Sequence, residues 1–170
     1  MATILRLTLI ACFACFFTSC VTTTERTRVT QNKAGATSSG ARLQKVRTTA
    51  YTHNEGGSGA KNAVGRRLAG GNTKSAASDW SRYPLGTRFR VLSTGQEYVI
   101  DDYGGALIGT NSIDLYKGSR SEVRRWGVRH VDIEVLEWGS AEESLKVLRP
   151  RHRAHIVRRM IAGLQARRTS

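Results

Sequence analysis

Cysteine is nearly absent from this chain, and its distribution limits what the chain can contain. The three cysteines, Cys12, Cys15 and Cys20, all lie within the first 20 of the 170 residues. The remainder therefore has no disulfide bond and no cysteine-ligated metal site. Its stability must come from an ordinary hydrophobic core.

The sequence also lacks the motifs of several catalytic and binding classes. We find no Ser–His–Asp or Cys–His arrangement, no phosphate-binding loop, no cofactor-binding motif and no internal repeat. Acidic residues are scarce and the formal net charge is +14, yet no nucleic-acid-binding motif accompanies that charge. We therefore expect no cofactor, no metal ion and no nucleic-acid partner.

The amino-terminal residues 1–20, "MATILRLTLIACFACFFTSC", form an apolar run with one arginine. The run is too short to span a membrane comfortably and stay there, so it predicts a secretory signal. Its ending, "FTSC", resembles the lipobox of bacterial lipoproteins, with Phe17 where leucine is usual. We expect lipidation at Cys20. The alternatives are simple cleavage and retention of the run as an anchor.

Residues 21–44 have few apolar side chains and consist mainly of Thr, Ser, Gly, Ala and Arg. Such a composition cannot bury enough surface to offset the entropy of ordering the chain. We expect a flexible tether that lets a folded domain reach away from a lipid anchor.

Acidic residues are absent from Leu145 onward, where eight Arg and Lys residues occur. We treat residues 140–170 as a basic helical tail, in which Ile156, Met160 and Leu164 form one apolar stripe. The charge suits an anionic membrane or cell-wall carboxylates, or it forms a solvated helix face. The stripe favours docking on the chain's own domain.

Residues 45–139 have the pattern of a small β-domain. Apolar alternation predicts strands in "VRTTAYT", "YPLGTRFRVL", "EYVID", "SIDLY" and "RHVDIEVLEW". The polar, glycine-rich segment after the first strand is predicted to be a long excursion lining one side of a cleft. Ser119 and Glu122 form a capping box for one short helix. We expect a mainly β fold, a small β-barrel followed by the helical tail.

The stretch "VIDDYGGALIGTNSIDLY", Val99 to Tyr116, places Asp101, Asp102 and Asp114 around a glycine-rich loop. Strand alternation predicts that Asp101 and Asp102 point to opposite faces, with Asp101 as a salt-bridge partner. Turn formation is an alternative role for Asp–x–Gly–Gly. A calcium site at these aspartates is disfavoured because the ligand alternation of calcium-binding loops is missing.

Four segments occur in the order that is typical of one family. They are "TAYT", "SAASDWSRYPLGTRF", "IDDYGGALIGTNSIDLY" and "WGVRHVDIEVL". From Val46 to Glu137 the chain resembles the 3D domain, named for its three aspartates, which also forms the catalytic part of membrane-bound lytic transglycosylase A. It is similar to the double-psi β-barrel of rare lipoprotein A and the expansins. The resemblance implies a six-stranded double-psi β-barrel.

The resemblance also implies roles for particular residues. The three aspartates correspond to Asp79, Asp102 and Asp114, and the one matching Asp114 is the catalytic acid of these transglycosylases. Lytic cleavage needs a single carboxyl group that acts first as acid and then as base. Because an ordinary aspartate is ionised at neutral pH, we expect the clustered carboxylates to raise one pKa through mutual repulsion and partial burial.

Other residues are candidates for contacts with a sugar. Gly104, Gly105 and Gly109 would let the backbone approach the substrate closely. Tyr51 and Thr49, near the end of the first strand, are candidate substrate-binding residues.

Trp80, beside Asp79, is a candidate for stacking on a sugar ring. For both Trp80 and Tyr51, a place in the core is the alternative.

These observations predict a lytic transglycosylase of the bacterial cell envelope that acts on the MurNAc–GlcNAc β-1,4 bond and faces the periplasm. Its expected partners are peptidoglycan strands and, through the lipid anchor, a membrane. A non-catalytic peptidoglycan-binding or wall-loosening module is the first alternative. A structural envelope lipoprotein with a basic tail is the second.

Overall fold

The computed structural model describes residues 40–53 and 59–167. The predicted signal sequence, the lipidation site at Cys20 and the tether as far as residue 39 lie outside the described residues. So do residues 54–58 and 168–170.

Six strands form a closed barrel in the order β1-β5-β2-β4-β3-β6. They are β1 Ala41–Tyr51, β2 Thr73–Ser78, β3 Arg88–Val91, β4 Glu97–Asp102, β5 Ile113–Tyr116 and β6 Arg129–Glu137. β1 is parallel to β5 and β2 is parallel to β4, whereas the other four strand contacts are antiparallel. The mainly β, six-stranded barrel expected from the sequence is confirmed.

Strand β2 was not located by the sequence pattern, which assigned its residues to a polar excursion. Its sequence, "TKSAAS", has one β-branched residue and no aromatic residue. Its last four residues are buried, and the strand lies between β4 and β5. Ala76 and Ala77 are therefore small because two neighbouring strands and the core crowd them, not because the segment is a loop.

Strand β1 begins earlier than expected. Ala41 pairs with Val135 and Leu43 with Ile133, so residues 41–44 belong to the barrel and not to the tether. The register then shifts between Leu43 and Val46, which marks a β-bulge in β1.

The described residues form three α-helices, and serine side chains cap the first two. They are α1 Arg120–Trp126, α2 Ala141–Leu148 and α3 His155–Ala166. The side chain of Ser119 accepts a hydrogen bond from the Glu122 N–H at the start of α1, and Ser140 caps α2 through the Glu143 N–H. The predicted capping box of Ser119 and Glu122 is thus a helix start, and Ser140 with Glu143 starts a second helix in the same way.

The basic tail docks on the barrel. Val157, Met160 and Leu164 of α3 are buried, and they share one hydrophobic core with the barrel strands. Burying side chains of this size contributes about 1.5–3 kcal/mol each, which is enough to hold a short helix in place. Within the described residues, the helices are too short or too polar for any of them to cross a bilayer.

Candidate functional site

The barrel brings Asp102 and Asp114 to the two sides of strand β2. Asp102, the last residue of β4, and Asp114 of β5 both pair with Ala77. Because neighbouring strands lie about 4.8 Å apart, their Cα atoms are about 10 Å from each other. Two of the three predicted aspartates therefore belong to one site, and both are half-buried.

Strand β1 completes this site on the side of Asp114. Thr49 pairs with Asp114 across the parallel contact between β1 and β5, and its Oγ1 donates a hydrogen bond of 2.7 Å to Asp114 Oδ1. The role of Thr49 as a substrate-binding residue stays a prediction. Its observed contact is with the carboxyl group that the resemblance implies to be catalytic.

Asp101 lies at a β-bulge. The register pairs Ala76 with Ile100 and then Ala77 with Asp102, so Asp101 has no partner of its own on β2. The bulge breaks the strict alternation on which the prediction of opposite orientations depends.

The prediction that Asp101 forms a salt bridge is also wrong within the described part of the chain. Its Oδ2 accepts hydrogen bonds from Asn62 Nδ2 at 2.8 Å and from Ser75 Oγ at 2.7 Å, and both donors are neutral. Burial raises the pKa of Asp101, and these two hydrogen bonds oppose the rise. Asn62 and Ser75 are site residues that the sequence did not indicate.

Among the described carboxyl groups, Asp102 has a strongly raised pKa. Burial, first, and the charge of Asp101 raise the pKa of Asp102 to about 6, against the opposing effects of the Tyr103 and Ala63 backbone N–H groups and of Arg151. The Tyr103 N–H donates to Asp102 Oδ1 at 2.9 Å. A raised carboxyl pKa was expected from crowding, but burial is the larger cause.

Tyr51 lies among these carboxyl groups. Burial raises the pKa of its hydroxyl, and the charges of Asp102, Asp101 and Asp114 raise it further, in that order. The hydroxyl oxygen is buried and has no hydrogen-bond partner among the described residues. The Tyr51 hydroxyl is therefore an unused hydrogen-bond donor within the described part of the chain.

A second tyrosine packs against Tyr51. The ring of Tyr116 meets it edge to face, with centroids 5.6 Å apart, and Tyr116 Oη lies 2.8 Å from His53 Nδ1. The sequence did not single out Tyr116 as a site residue, because an aromatic residue at the end of a short strand is typical of a core position.

Asp79 is engaged in a different set of contacts. Its side chain is buried, its Oδ1 accepts from the N–H and Oγ of Ser81 at 2.9 and 2.7 Å, and its Oδ2 accepts from the Gly109 N–H at 2.7 Å. Gly109 has a φ of +87°, and a Cβ there would lie 2.6 Å from Arg159 Nη2. Asp79 therefore anchors the glycine-rich loop, and its oxygens are taken up by three donors.

Trp80 does not offer its ring to a sugar. The side chain is fully buried, its Nε1–H donates to the Asp102 carbonyl at 2.8 Å, and its ring packs edge to face on Tyr103. The predicted stacking role is therefore wrong, and the alternative of a core residue is correct. Trp80 positions the backbone of Asp102 instead.

The paired glycines sit at the start of the loop that Asp79 anchors. Gly105 is exposed, and a Cβ there would lie 3.9 Å from the Ile156 side chain of α3. Gly104 is half-buried, and a Cβ there would lie 3.5 Å from the Leu107 side chain. Helix α3 thus packs beside the loop, and the predicted contact of these glycines with a sugar stays a prediction.

The described residues contain no cluster of three or more His, Cys, Asp or Glu side chains able to hold a metal ion. The site that they do form is a group of half-buried carboxyl groups and a tyrosine hydroxyl on strands β1, β5 and β4 of a closed barrel, with β2 between β5 and β4. Its chemistry is proton donation, proton acceptance and hydrogen bonding to a polar ligand.

Comparison with known proteins matches part of this barrel to a family model. Residues 74–137, which include Asp79, Asp102 and Asp114, match the family model of the 3D domain. The chain carries a 3D domain over that range.

Two relatives come from Bacillus subtilis (strain 168). The Cell wall-binding protein YocH is 40% identical over 92 residues, which are 54% of this chain and 31% of that protein. The Putative cell wall shaping protein YabE is 33% identical over 96 residues, which are 56% of this chain and 23% of that protein. This chain therefore matches less than a third of the length of either relative.

Proposed function

We propose that this protein binds peptidoglycan at the site formed by Asp102, Asp114 and Tyr51. We further propose that it cleaves the MurNAc–GlcNAc β-1,4 bond as a lytic transglycosylase. The observation that carries the proposal is the half-buried carboxyl group of Asp102 on β4, with a pKa of about 6, which faces Asp114 of β5 across strand β2. The names of the relatives, cell wall-binding and cell wall shaping, support the choice of substrate.

The reaction needs two proton transfers, one from the enzyme to the glycosidic oxygen and one from the sugar's 6-hydroxyl back to the enzyme. A carboxyl group protonates the glycosidic oxygen as the bond from C1 of MurNAc to that oxygen breaks, and GlcNAc leaves with a free 4-hydroxyl. The same group, now a carboxylate, takes the proton of the MurNAc 6-hydroxyl as O6 bonds to C1. The product is a 1,6-anhydro sugar, no water is consumed, and the nucleophile is already held close to C1.

Two carboxyl groups are available for this role. The family resemblance implies that Asp114 is acid and then base, and the hydrogen bond from Thr49 holds its carboxyl group in place. Because its pKa is raised to about 6, Asp102 holds its proton up to about that pH, where it can donate a hydrogen bond to the sugar and adds no negative charge beside Asp114. The Tyr51 hydroxyl, buried and without a hydrogen-bond partner among the described residues, is a second donor for the sugar.

A specific observation favours a second candidate function. YocH is named as a binding protein, and this chain covers only part of it. A barrel that holds peptidoglycan without cutting it would use the same carboxyl and hydroxyl groups for hydrogen bonds. Product analysis separates the two functions.

The test uses purified full-length protein and isolated sacculi, with soluble products identified by mass spectrometry. We expect 1,6-anhydro-muropeptides from the wild type and a loss of at least about 100-fold in their rate of release for Asp114→Asn, as for loss of an acid–base catalyst. The matched control is Glu142→Gln, which removes an exposed carboxylate at the start of α2. Sedimentation of the wild type with sacculi, with no soluble product, would support the binding module. Unchanged release by Asp114→Asn would refute the catalytic assignment.

The location follows from the same proposal. A peptidoglycan substrate places the protein in the cell envelope, and the predicted signal sequence and lipidation of Cys20 would deliver and anchor it there.

A further inference from the structure

A cavity of about 780 Å³ lies against the bulged half of β1, and its lining includes neither Asp102 nor Asp114. Its described lining carries five cationic side chains and no carboxylate. The cations are Arg42, Lys45, Arg47, Arg82 and Arg167. We call this cavity the basic groove.

None of the five cations forms an ion pair with another described residue. Arg47 Nη1 donates to Ser112 Oγ at 3.3 Å, and Arg167 Nη1 donates to the Arg82 carbonyl at 3.2 Å, so both acceptors are neutral. By contrast, Arg88 and Arg90 are paired with acids on the barrel surface. Five like charges around one concavity repel each other and create a positive potential that attracts anions.

The backbone of the basic groove is in a conformation that side chains rarely adopt. Lys45 has a φ of +52° and is the only non-glycine residue of the described chain with a positive φ. It lies within the bulge of β1, where its N–H donates to Asp132 Oδ1 at 2.9 Å. Bulges and strained residues of this kind concentrate at binding sites, where they aim a side chain.

An unsatisfied donor adds an independent observation. Trp138 lines the basic groove and stacks on Tyr83, with ring centroids 6.4 Å apart and planes 3° from parallel. Its Nε1–H is buried and has no acceptor among the described residues. A buried donor without an acceptor calls for a missing partner, such as the oxygen of a ligand or a bound water.

We propose that the basic groove binds the carboxylate groups of peptidoglycan stem peptides. This inference rests on the proposed function. The carboxyl site would repel an acidic peptide. A glycan chain whose neutral sugars bind at the carboxyl site therefore needs a separate binding site for its acidic stem peptides. Arginine guanidinium groups match the planar carboxylate by paired hydrogen bonds. The concave shape suits a peptide branch, whereas a bilayer requires an exposed flat or convex face.

The first experiment compares two triple variants that have the same net charge. The groove variant carries Arg47→Gln, Arg82→Gln and Arg167→Gln. Co-sedimentation with sacculi free of phosphate polymers, at 0.15 M salt, should show an apparent Kd at least about ten-fold weaker than that of the wild type.

The control variant carries Arg66→Gln, Arg124→Gln and Arg153→Gln, at exposed positions outside the groove. Its Kd should change less than about two-fold. Amidation of the sacculus carboxylates should weaken the wild type to the level of the groove variant. Equal losses in the two variants, or no loss in the groove variant, would overturn the proposal.

Two further arms test other anions. Vesicles with anionic lipids and a soluble phosphate polymer are offered separately, and a groove-dependent preference for either over native sacculi would contradict the stem-peptide assignment. A soluble stem peptide added to the wild type should shift the Trp138 indole N–H resonance, and its amidated form should not. This readout does not depend on the folding of any variant.

The outcomes separate this inference from the proposed function. If no anhydro products form, only the proposed cleavage is refuted. Binding in the basic groove is measured separately, by sedimentation with sacculi and by the shift of the Trp138 indole resonance. Lack of any wild-type binding to sacculi, with the indole still shifted by the stem peptide, would refute the proposed function and leave the groove assignment standing.

Discussion

Replacing Asp102 with asparagine should stabilise the folded protein at neutral pH. The folded state holds the Asp102 proton up to a pKa of about 6, whereas an unfolded aspartate releases it near 3.8. Between these values the folded state binds more protons than the unfolded state, so stability falls as the pH rises. The contribution of this carboxyl group is therefore most favourable below about pH 4 and is lost as the pH passes 6.

The magnitude follows from the shift. A rise from 3.8 to about 6 corresponds to about 3 kcal/mol at 1.36 kcal/mol per pKa unit. Because the side chain is only half-buried, solvent screening reduces the expected effect to about 1–2 kcal/mol. Asparagine retains an oxygen that can accept the Tyr103 N–H and carries no charge, so Asp102→Asn should gain this amount at pH 7.5 and little at pH 4.

The assay is urea unfolding of the wild type and Asp102→Asn at pH 4, 5, 6 and 7.5. The matched control is Glu142→Gln, which removes an exposed carboxylate at the start of α2. The difference in unfolding free energy should grow with pH for Asp102→Asn and stay flat for the control. A variant less stable than the wild type at pH 7.5, or a difference that does not depend on pH, would refute the reasoning.

Three further predictions address packing, positioning and anchoring. Gly139→Ala should destabilise the fold by about 1–3 kcal/mol, because its Cβ would overlap main-chain atoms of the loop before β3, whereas Gly71→Ala has open space; equal unfolding curves would disprove that clash. Thr49→Val should slow the release of anhydro products about three- to ten-fold, because Asp114 loses its 2.7 Å hydrogen bond from the Thr49 hydroxyl. Binding to sacculi should be retained. An unchanged rate of release would exclude a positioning role for Thr49. Cys20→Ala should move the protein from the membrane to the soluble envelope fraction, as measured by fractionation with metabolic labelling by a lipid precursor; unaltered labelling would rule out that acceptor.

The sequence predicted the strands whose inward residues are large. Phe89, Ile100, Ile113 and Ile133 are fully buried, and their alternation with polar residues located β3, β4, β5 and β6. Strand β2 was missed because it is built from small residues. Its position between β5 and β4 depends on the topology of the whole barrel, and no pattern in its own six residues indicates it.

The aspartates of the candidate site were predictable in part. Asp102 and Asp114 could be assigned from the family resemblance, and the structure places them on either side of β2. The inclusion of Asp101 could not be predicted from alternation, because the bulge depends on how β4 pairs with β2. Ser81 follows Asp79 by two residues, and that spacing is compatible with the local turn in which the Ser81 N–H donates to the Asp79 side chain. The hydrogen bond from the Gly109 N–H joins residues 30 apart and could not be predicted from local sequence.

The most direct test of the central claim is the titration of the Asp102 carboxyl carbon by NMR, with side-chain ¹³C labelling of the full-length protein. We expect a midpoint near 6, because burial and the neighbouring Asp101 disfavour the charged form. A midpoint near 3.8 would contradict it, since Asp102 would then be an ordinary solvated carboxylate at the pH of the cell envelope.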